Sequence, residues 1–313
     1  GFIGSNLFYD SLLVEIAPPL HREYVSAFAY SAGYLGGGLL FALNVAMTLN
    51  PSFFGLSDPS QAVQLSFLSV GLWWLVFGLP IQFSDHKKSN NQRLEPSLVR
   101  DAFKQLTTTF RDIRNYRPIL IFLLAYWLYI DGVYTIIKMA VDYGLSLGFD
   151  SSALITALLI TQFVGFPAAL FFGWLSSRIG AIRSIRIAII VYLCVTLYAA
   201  FMRTEFEFYI MAVTIGLVQG GVQALSRATF ANMIPPEKSA EFFGFYNMVG
   251  KFAAILGPAL IAITGLIAHH AGLAETTATR LGISSISVMF IGGWFLLGVS
   301  SKYISSTNKQ GET

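Results

Sequence analysis

Long runs of apolar residues dominate the chain, and short polar turns separate them. Most of the runs reach the roughly 20 residues that an α-helix needs to cross the hydrocarbon core of a bilayer. Strands of a membrane barrel would instead be about 10 residues long, with alternating polarity. The pattern therefore predicts an all-α membrane protein with about nine transmembrane helices, near residues 1–17, 25–49, 62–83, 118–142, 151–175, 183–202, 207–233, 240–268 and 280–301.

The composition supports the same class of protein. Hydrophobic residues make up 55% of the chain and charged residues 12%, with a mean hydropathy of +0.62, whereas soluble domains carry about 25% charged residues. The single cysteine, Cys194, excludes a disulfide framework. A net charge of +3 raises the possibility of a nucleic-acid partner, but the positions of the basic residues argue against one.

The basic residues sort by membrane side. If residues 84–117 lie in the cytoplasm and the segments alternate, fifteen Lys and Arg residues fall inside and two, Arg203 and Arg280, fall outside. This asymmetry follows the positive-inside rule and places the C-terminus in the cytoplasm. We therefore expect a lipid bilayer and no nucleic acid as the surroundings of the protein.

The chain contains a distant internal repeat with an offset of 217 residues. Pro18 and Pro19 align with Pro235 and Pro236, and Gly33 aligns with Gly250. Internal duplication in an apolar chain is typical of secondary transporters, which bind substrate where the repeats meet. Three apolar helices precede the second copy, beginning near Pro118, so we expect an N-terminally truncated chain that lacks roughly three helices of a six-plus-six parent.

Four segments follow from this division: residues 1–83 as the rest of an N-terminal transmembrane half, 84–117 as a cytoplasmic linker, 118–301 as a C-terminal six-helix half and 302–313 as a cytoplasmic tail. Within the linker, apolar residues recur at helical spacing from Leu98 to Ile113. The spacing predicts an amphipathic helix, either on the inner leaflet or docked on the protein's own cytoplasmic ends.

Charged residues inside the predicted spans are the candidate functional groups, because a charge in hydrocarbon is costly and normally faces the interior of the helix bundle. Asp131 lies near the midplane, and Tyr134 and Lys138 share its helical face. We predict a substrate or proton site at Asp131. A structural ion pair or a hydrogen bond between helices is the alternative, and Lys138 has the further alternative of snorkelling to the surface.

A second group of polar residues comes from the two copies of the repeat. Lys251 follows Asn247 by one helical turn, and Gln219, Gln223 and Arg227 form a polar stripe. Hydrogen bonding between helices is equally compatible with the stripe, and Arg227 lies close enough to the inner surface to snorkel. Across the repeat Asp10 aligns with Arg227, which suggests a cavity with a carboxylate on one wall and cations on the other.

The turn between two predicted helices resembles the loop motif of the major facilitator superfamily. The matching residues are Gly173, Leu175, Arg178, Gly180 and Arg183, whereas Ser177 replaces the usual acid. The resemblance implies a cytoplasmic gating loop. The serine weakens any expectation of the usual gating ion pair, and a tight basic turn between two helices would have a similar sequence.

A closer resemblance covers nearly the whole chain. The motifs Asn6–Leu13, Gly33–Leu40, Tyr129–Val133, Gly216–Arg227, Pro235–Asn247 and Gly250–Pro258 resemble the vacuole-effluxer-like family of that superfamily. Its eukaryotic members are autophagy-related vacuolar amino-acid effluxers, and the compact loops are more similar to prokaryotic members. The resemblance implies a twelve-helix transporter, of which this chain corresponds to helices four to twelve.

We therefore expect a secondary transporter that moves a small polar solute, amino acids first, by alternating access, with a possible coupling proton, no cofactor and no metal, as a monomer in the bacterial cytoplasmic membrane. The vacuolar membrane is the alternative location. A membrane ligand sensor that acts through residues 84–117 is the alternative function. An enzyme is disfavoured, since no His-Glu-x-x-His motif occurs and all four histidines lie outside the predicted spans.

Overall fold

The computed structural model describes residues 2–83, 116–252 and 255–310, which contain helices and no β-strand. Within these ranges the α-helices are α1 Phe2–Ile16, α2 Arg22–Leu49, α3 Pro59–Gln82, α4 Arg117–Ser146, α5 Ser151–Ile179, α6 Ala181–Ala199, α7 Glu205–Met233, α8 Ser239–Phe252, α9 Leu256–His270, α10 Glu275–Ser285 and α11 Ser287–Gln310. Short 3₁₀ turns cover Pro19–His21, Pro51–Phe54 and Pro236–Lys238.

Eight stretches of the described chain are long and apolar enough to cross a membrane, and six of them follow residue 116. The predicted six-helix content of the C-terminal half thus agrees with the structure. The remaining predicted span, near residues 1–17, corresponds to α1, which covers Phe2–Ile16. The chain is a multi-pass integral membrane protein.

Local chemistry marks the ends of the helices. Asp58 accepts a hydrogen bond from the Gln61 amide at the start of α3, and Thr204 and Glu207 form a capping box at the start of α7. Both devices satisfy amide groups that lack a partner within the helix. Gly180 separates α5 from α6 with a φ of 89°, a conformation that side chains with a Cβ rarely adopt.

The helix boundaries show the same 217-residue offset as the sequence repeat. Helix α1 ends at Ile16 and α7 ends at Met233, positions that differ by the 217 residues of the repeat. The 3₁₀ turns Pro19–His21 and Pro236–Lys238 and the starts of α2 and α8 obey the same offset. Each Pro-Pro pair therefore lies where one helix ends, and the next helix begins after a single 3₁₀ turn.

The chain divides into two compact units, residues 1–34 with 108–313 and residues 35–107. Large side chains such as Tyr129, Tyr192 and Phe290 are fully buried in the core of the first unit. In the second unit, Ser69 Oγ donates a hydrogen bond of 3.0 Å to Asn44 Oδ1 and connects α3 to the end of α2.

Two predicted segments lie wholly or partly outside the described residues. The amphipathic helix expected in the linker lies in residues 84–115, outside the described residues. The cytoplasmic tail expected at 302–313 begins as a continuation of α11, which extends to Gln310.

Candidate functional site

A cavity of about 530 Å³ opens among the helices of the first unit. Both copies of the repeat contribute to its wall, through α1 and α2 on one side of the duplication and α7 and α8 on the other. Its volume suits a small molecule. The lining is rich in hydroxyl, amide and charged groups: Asn6, Tyr9, Asp10, Ala29, Tyr30, Gly33, Tyr34, Tyr126, Tyr134, Lys138, Gln162, Gln223, Arg227, Tyr246, Asn247, Gly250 and Lys251.

Asp10 and Arg227 form an ion pair at the wall of this cavity. Arg227 Nη1 lies 3.2 Å from Asp10 Oδ1, and the two residues are 217 positions apart. Asn247 Nδ2 donates a hydrogen bond of 3.0 Å to the other carboxylate oxygen. Equivalent positions of the two copies are therefore joined directly by opposite charges.

The Arg227 guanidinium is enclosed by the protein, with a side chain only 4% exposed. Its Nε donates a hydrogen bond of 3.0 Å to Ser26 Oγ, and it lies 5.0 Å and 5.3 Å from the ring centroids of Tyr30 and Tyr9. These contacts offset the cost of removing the charge from water. The residue is anchored inside the bundle and does not snorkel to the surface.

Tyrosine rings form much of the remaining wall. The rings of Tyr126 and Tyr246 stack with their centroids 4.2 Å apart. The Tyr34 hydroxyl lies near the side chains of Gln219 and Gln223. Gln219 does not line the cavity itself and reaches it through Tyr34. The wall therefore offers hydroxyl groups and aromatic faces rather than aliphatic surface.

Two lysines complete the charged lining. Lys138 comes from α4, where Tyr134 lies one turn before it, and Lys251 comes from α8, one turn after Asn247. Both lysine side chains are exposed at the cavity surface. The four charged groups of the described lining are therefore one carboxylate and three cations.

Asp131 has a different environment. Its residue is fully buried, and its carboxylate accepts hydrogen bonds from the Leu256 amide at 3.1 Å, from the Gly257 amide at 2.9 Å and from Thr135 Oγ1 at 3.2 Å. A carboxylate on the first amides of a helix satisfies groups that lack internal partners and complements the helix dipole. Asp131 thus fastens the start of α9 to α4.

The cavity brings together seven of the nine pathway residues singled out in the sequence: Asp10, Tyr134, Lys138, Gln223, Arg227, Asn247 and Lys251. Gln219 stands behind Tyr34, and Asp131 does not line the cavity. Among the described residues no group of three His, Cys, Asp or Glu side chains is placed to bind a metal ion.

The loop with the superfamily motif is a tight turn at Gly180. The Arg178 guanidinium lies 5.7 Å from the Trp174 ring centroid, a distance that permits cation–π attraction. A Cβ added to Gly173 would lie 2.7 Å from the Cβ of Ala27, so this glycine permits close contact between α5 and α2. Arg183, on the first turn of α6, is exposed.

The structure adds one residue that the sequence did not single out. Arg22 is 5% exposed and donates hydrogen bonds to the carbonyl oxygens of Val14 at 3.2 Å and Ala231 at 2.9 Å. These two carbonyls are 217 residues apart, so one guanidinium binds the C-terminal turns of both equivalent helices, α1 and α7. The only signal in the sequence was its position just after a Pro-Pro pair.

Comparison with known proteins gives the family. The model of the family described as "Vacuole effluxer Atg22 like" matches residues 17–290. YxiO of Bacillus subtilis, an uncharacterized MFS-type transporter, is 39% identical over 298 residues, or 95% of this chain and 68% of YxiO. Autophagy-related protein 22 of Yarrowia lipolytica is 25% identical over 288 residues, or 81% of this chain and 48% of the fungal protein. The chain thus spans about half the length of the fungal relatives it matches.

Solved structures confirm the predicted fold. The chain is similar to the crystal structure of the MFS transporter FucP in the outward conformation, with a TM-score of 0.58 at 14% sequence identity over 92% of this chain and 71% of that chain. The family model describes a vacuole effluxer and the Bacillus relative is an MFS-type transporter, in agreement with the expectation that the chain is not an enzyme. The chain belongs to the vacuole effluxer Atg22-like family of the major facilitator superfamily.

Proposed function

We propose that this protein is a secondary transporter that moves a small polar solute, amino acids first, by alternating access around the described cavity. The observation that carries the proposal is the Asp10–Arg227 pair, which joins equivalent positions of the two copies at the cavity wall. The halves of such transporters rock against each other around a fixed site. A charged contact between equivalent positions is well placed to form in one state and weaken in the other.

Amino acids are the first choice because the lining offers both charge signs and several amides. A substrate carboxylate would bind Lys251 or Arg227, since charge-assisted hydrogen bonds are the strong ones. Hydroxyl and amide groups would come from Tyr134, Asn247 and Gln223. The resemblance to amino-acid effluxers supports the same choice.

Asp131 acts on this site from a distance. Lys251 and Gly250 line the cavity at the end of α8, and Asp131 holds the start of α9 a few residues further along the chain. We propose that Asp131 positions this end of α8 and also carries the coupling proton, because ionisable groups inside membrane spans commonly form proton relays. Protonation would weaken its hold on the two amides.

Solute uptake into liposomes containing the purified full-length protein tests the proposal. We expect Asp131→Asn and Lys251→Met each to reduce uptake at least tenfold, because one disturbs the start of α9 and the other removes a cavity charge. Lys302→Met is the matched control: Lys302 is exposed on α11 and outside the cavity. It should transport at the wild-type rate.

The outcomes separate two parts of the proposal. If Asp131→Asn and Lys251→Met both fold and transport normally, the residue assignment is wrong while transport stands. If the wild-type protein moves no solute under a proton or solute gradient, the transport function itself is wrong. If a proton gradient leaves the uptake rate unchanged, only the proposal of a coupling proton is wrong.

We further propose that the protein is a monomer in the bacterial cytoplasmic membrane with its C-terminus in the cytoplasm. The distribution of Lys and Arg supports this orientation, and the Bacillus relative supports the membrane. In a Cys194→Ser background, Lys309→Cys should react with a membrane-impermeant thiol reagent only after the cells are permeabilised. Labelling of intact cells would reverse the orientation.

A further inference from the structure

We propose that Arg186 and Trp294 form a binding site for the headgroup of an anionic phospholipid between α6 and α11. The inference is independent of the proposed transport function. The Arg186 guanidinium lies over the Trp294 ring, 3.8 Å from its centroid. A Cβ added to Gly298, one turn after Trp294, would lie 3.5 Å from Arg186 Cζ. The glycine therefore brings the guanidinium close to the backbone of α11.

Both side chains of this pair carry a buried hydrogen-bond donor without an acceptor. Among the described residues, neither Arg186 Nε nor Trp294 Nε1 has a hydrogen-bond partner. Buried polar groups are normally paired, and an unpaired one is costly. Both nitrogens can only donate. The group that would pair with them is therefore an acceptor, and the charge of Arg186 favours an anionic one.

The two helices supply no negative charge to neutralise Arg186. Residues 181–199 of α6 and 287–310 of α11 contain neither Asp nor Glu. Arg183 lies one turn nearer to the start of α6, and its side chain is exposed. Residues three apart are neighbours on a helix surface, so an anion at Arg186 is also attracted by the charge of Arg183.

The surroundings of the pair favour a lipid over a soluble anion. Arg186 lies five residues after the start of α6 at Ala181, roughly 8 Å along the helix axis. Next to the pair, Ile187 and Phe295 are 43% and 64% exposed, and such apolar side chains on a membrane-spanning helix face acyl chains. A phospholipid matches both the charged and the apolar surroundings. Basic pockets between transmembrane helices bind lipid headgroups in this way.

A second arginine–tryptophan pair shows what is particular to this site. Arg178 lies 5.7 Å from the Trp174 ring centroid, and both residues are exposed. Their nitrogens are accordingly open to solvent or lipid headgroups without a fixed partner. Arg186 and Trp294 are in closer contact and are half-buried, so their donors depend on an acceptor at one defined place.

Lipid titration of the purified full-length protein in detergent tests the site. The melting temperature is followed against the mole fraction of phosphatidylglycerol in the micelles, since a ligand that binds the folded state raises it. Phosphatidylcholine with the same acyl chains and inorganic phosphate are the comparison probes. We expect phosphatidylglycerol to bind about tenfold more tightly than phosphatidylcholine. Inorganic phosphate at the same concentration should leave the melting temperature unchanged.

Substitution of the arginines should weaken the binding of phosphatidylglycerol. Arg186→Gln should weaken it about tenfold to a hundredfold, the effect of one charge-assisted hydrogen bond. Arg183→Gln should weaken it about fivefold, as expected for one basic residue near the membrane surface. Arg203→Gln is the matched control, because Arg203 is exposed in the turn beyond the other end of α6. It should bind the lipid like the wild type.

Trp294→Phe separates lipid binding from a purely structural role. Phenylalanine keeps an aromatic ring beside the guanidinium but lacks the indole N–H. The melting temperature without lipid reports any loss of packing, whereas the affinity for phosphatidylglycerol reports the loss of the donor. We expect this affinity to fall about threefold to tenfold, the effect of one neutral hydrogen bond.

Equal stabilisation by the two phospholipids, or an affinity for phosphatidylglycerol that Arg186→Gln leaves unchanged, would overturn the site. Equal stabilisation by inorganic phosphate would overturn the lipid as its ligand. An equal loss of affinity in Arg203→Gln would show a general attraction of charges and would also overturn the site. If Arg186→Gln does not fold, Arg183→Gln and Trp294→Phe decide the question.

Discussion

In the first copy of the repeat α2 continues without interruption from Arg22 to Leu49, whereas in the second copy α8 starts at the equivalent Ser239 and a new helix starts at Leu256. Residues 36–38 of the first copy are Gly-Gly-Gly, and the equivalent residues 253–255 are Ala-Ala-Ile. Glycine disfavours helices and alanine favours them. Local propensity therefore does not account for the helix start at Leu256.

In the second copy a tertiary contact lies at the start of α9. Asp131 binds the first two amides of α9, and such a partner offsets the loss of internal hydrogen bonds when a helix restarts. Side chains at the cavity differ as well, since Asp10 aligns with Arg227 and Tyr34 with Lys251. The two copies therefore share their helix boundaries but carry side chains of different chemistry at the cavity.

The largest effect is expected where the two copies meet. Arg227→Met should lower the free energy of unfolding by about 3–5 kcal/mol, because it leaves the Asp10 carboxylate, which is only 13% exposed, without its ionic partner. Denaturant titration of the purified protein in detergent measures this. The double variant Asp10→Asn with Arg227→Met should lose clearly less. Equal losses in both variants would show that the pair contributes no coupling between the copies.

The start of α9 is the next most sensitive place. A Cβ at Gly257 would overlap Thr135 Oγ1 and lie 2.9 Å from Asp131 Oδ1, so Gly257→Ala should destabilise the protein by about 3 kcal/mol through overpacking. Gly265→Ala is the matched control on the same helix, because no described atom lies within 4 Å of its added Cβ. Similar stability of the two variants would mean that α9 does not need its close contact with α4.

Much of the fold was accessible from the sequence, because apolar runs and Pro-Pro pairs report helix length and helix ends directly. The repeat offset also aligned Asp10 with Arg227 correctly. It could not reveal that the two residues bind each other, since alignment gives equivalence and not distance. Asp131 was singled out for its depth in the membrane. Two of its three hydrogen-bond donors are the backbone amides of Leu256 and Gly257, which leave no trace in residue identity.

Arg22 belongs to the first copy but binds the ends of equivalent helices in both copies, and its substitution tests how much this contact stabilises the protein. Arg22→Gln should cost about 2 kcal/mol of unfolding free energy, because the buried carbonyl oxygens of Val14 and Ala231 lose a charged donor. The equivalent residue in the second copy is the buried Ser239, and Ser239→Ala removes only a neutral hydroxyl, so it should cost no more than about 1 kcal/mol. Thermal unfolding in detergent compares them. Comparable losses would show that Arg22 is not the shared anchor of α1 and α7.

The smallest expected effect lies in the glycine run of α2. A Cβ added to Gly36 would make ordinary contact with Trp73 at 3.8 Å, so Gly36→Ala should stabilise the protein by about 0.5–1 kcal/mol by lowering the entropy of the unfolded chain. The melting temperature in detergent would then rise slightly. A fall would mean that α2 needs its glycines for close contact or for bending during transport.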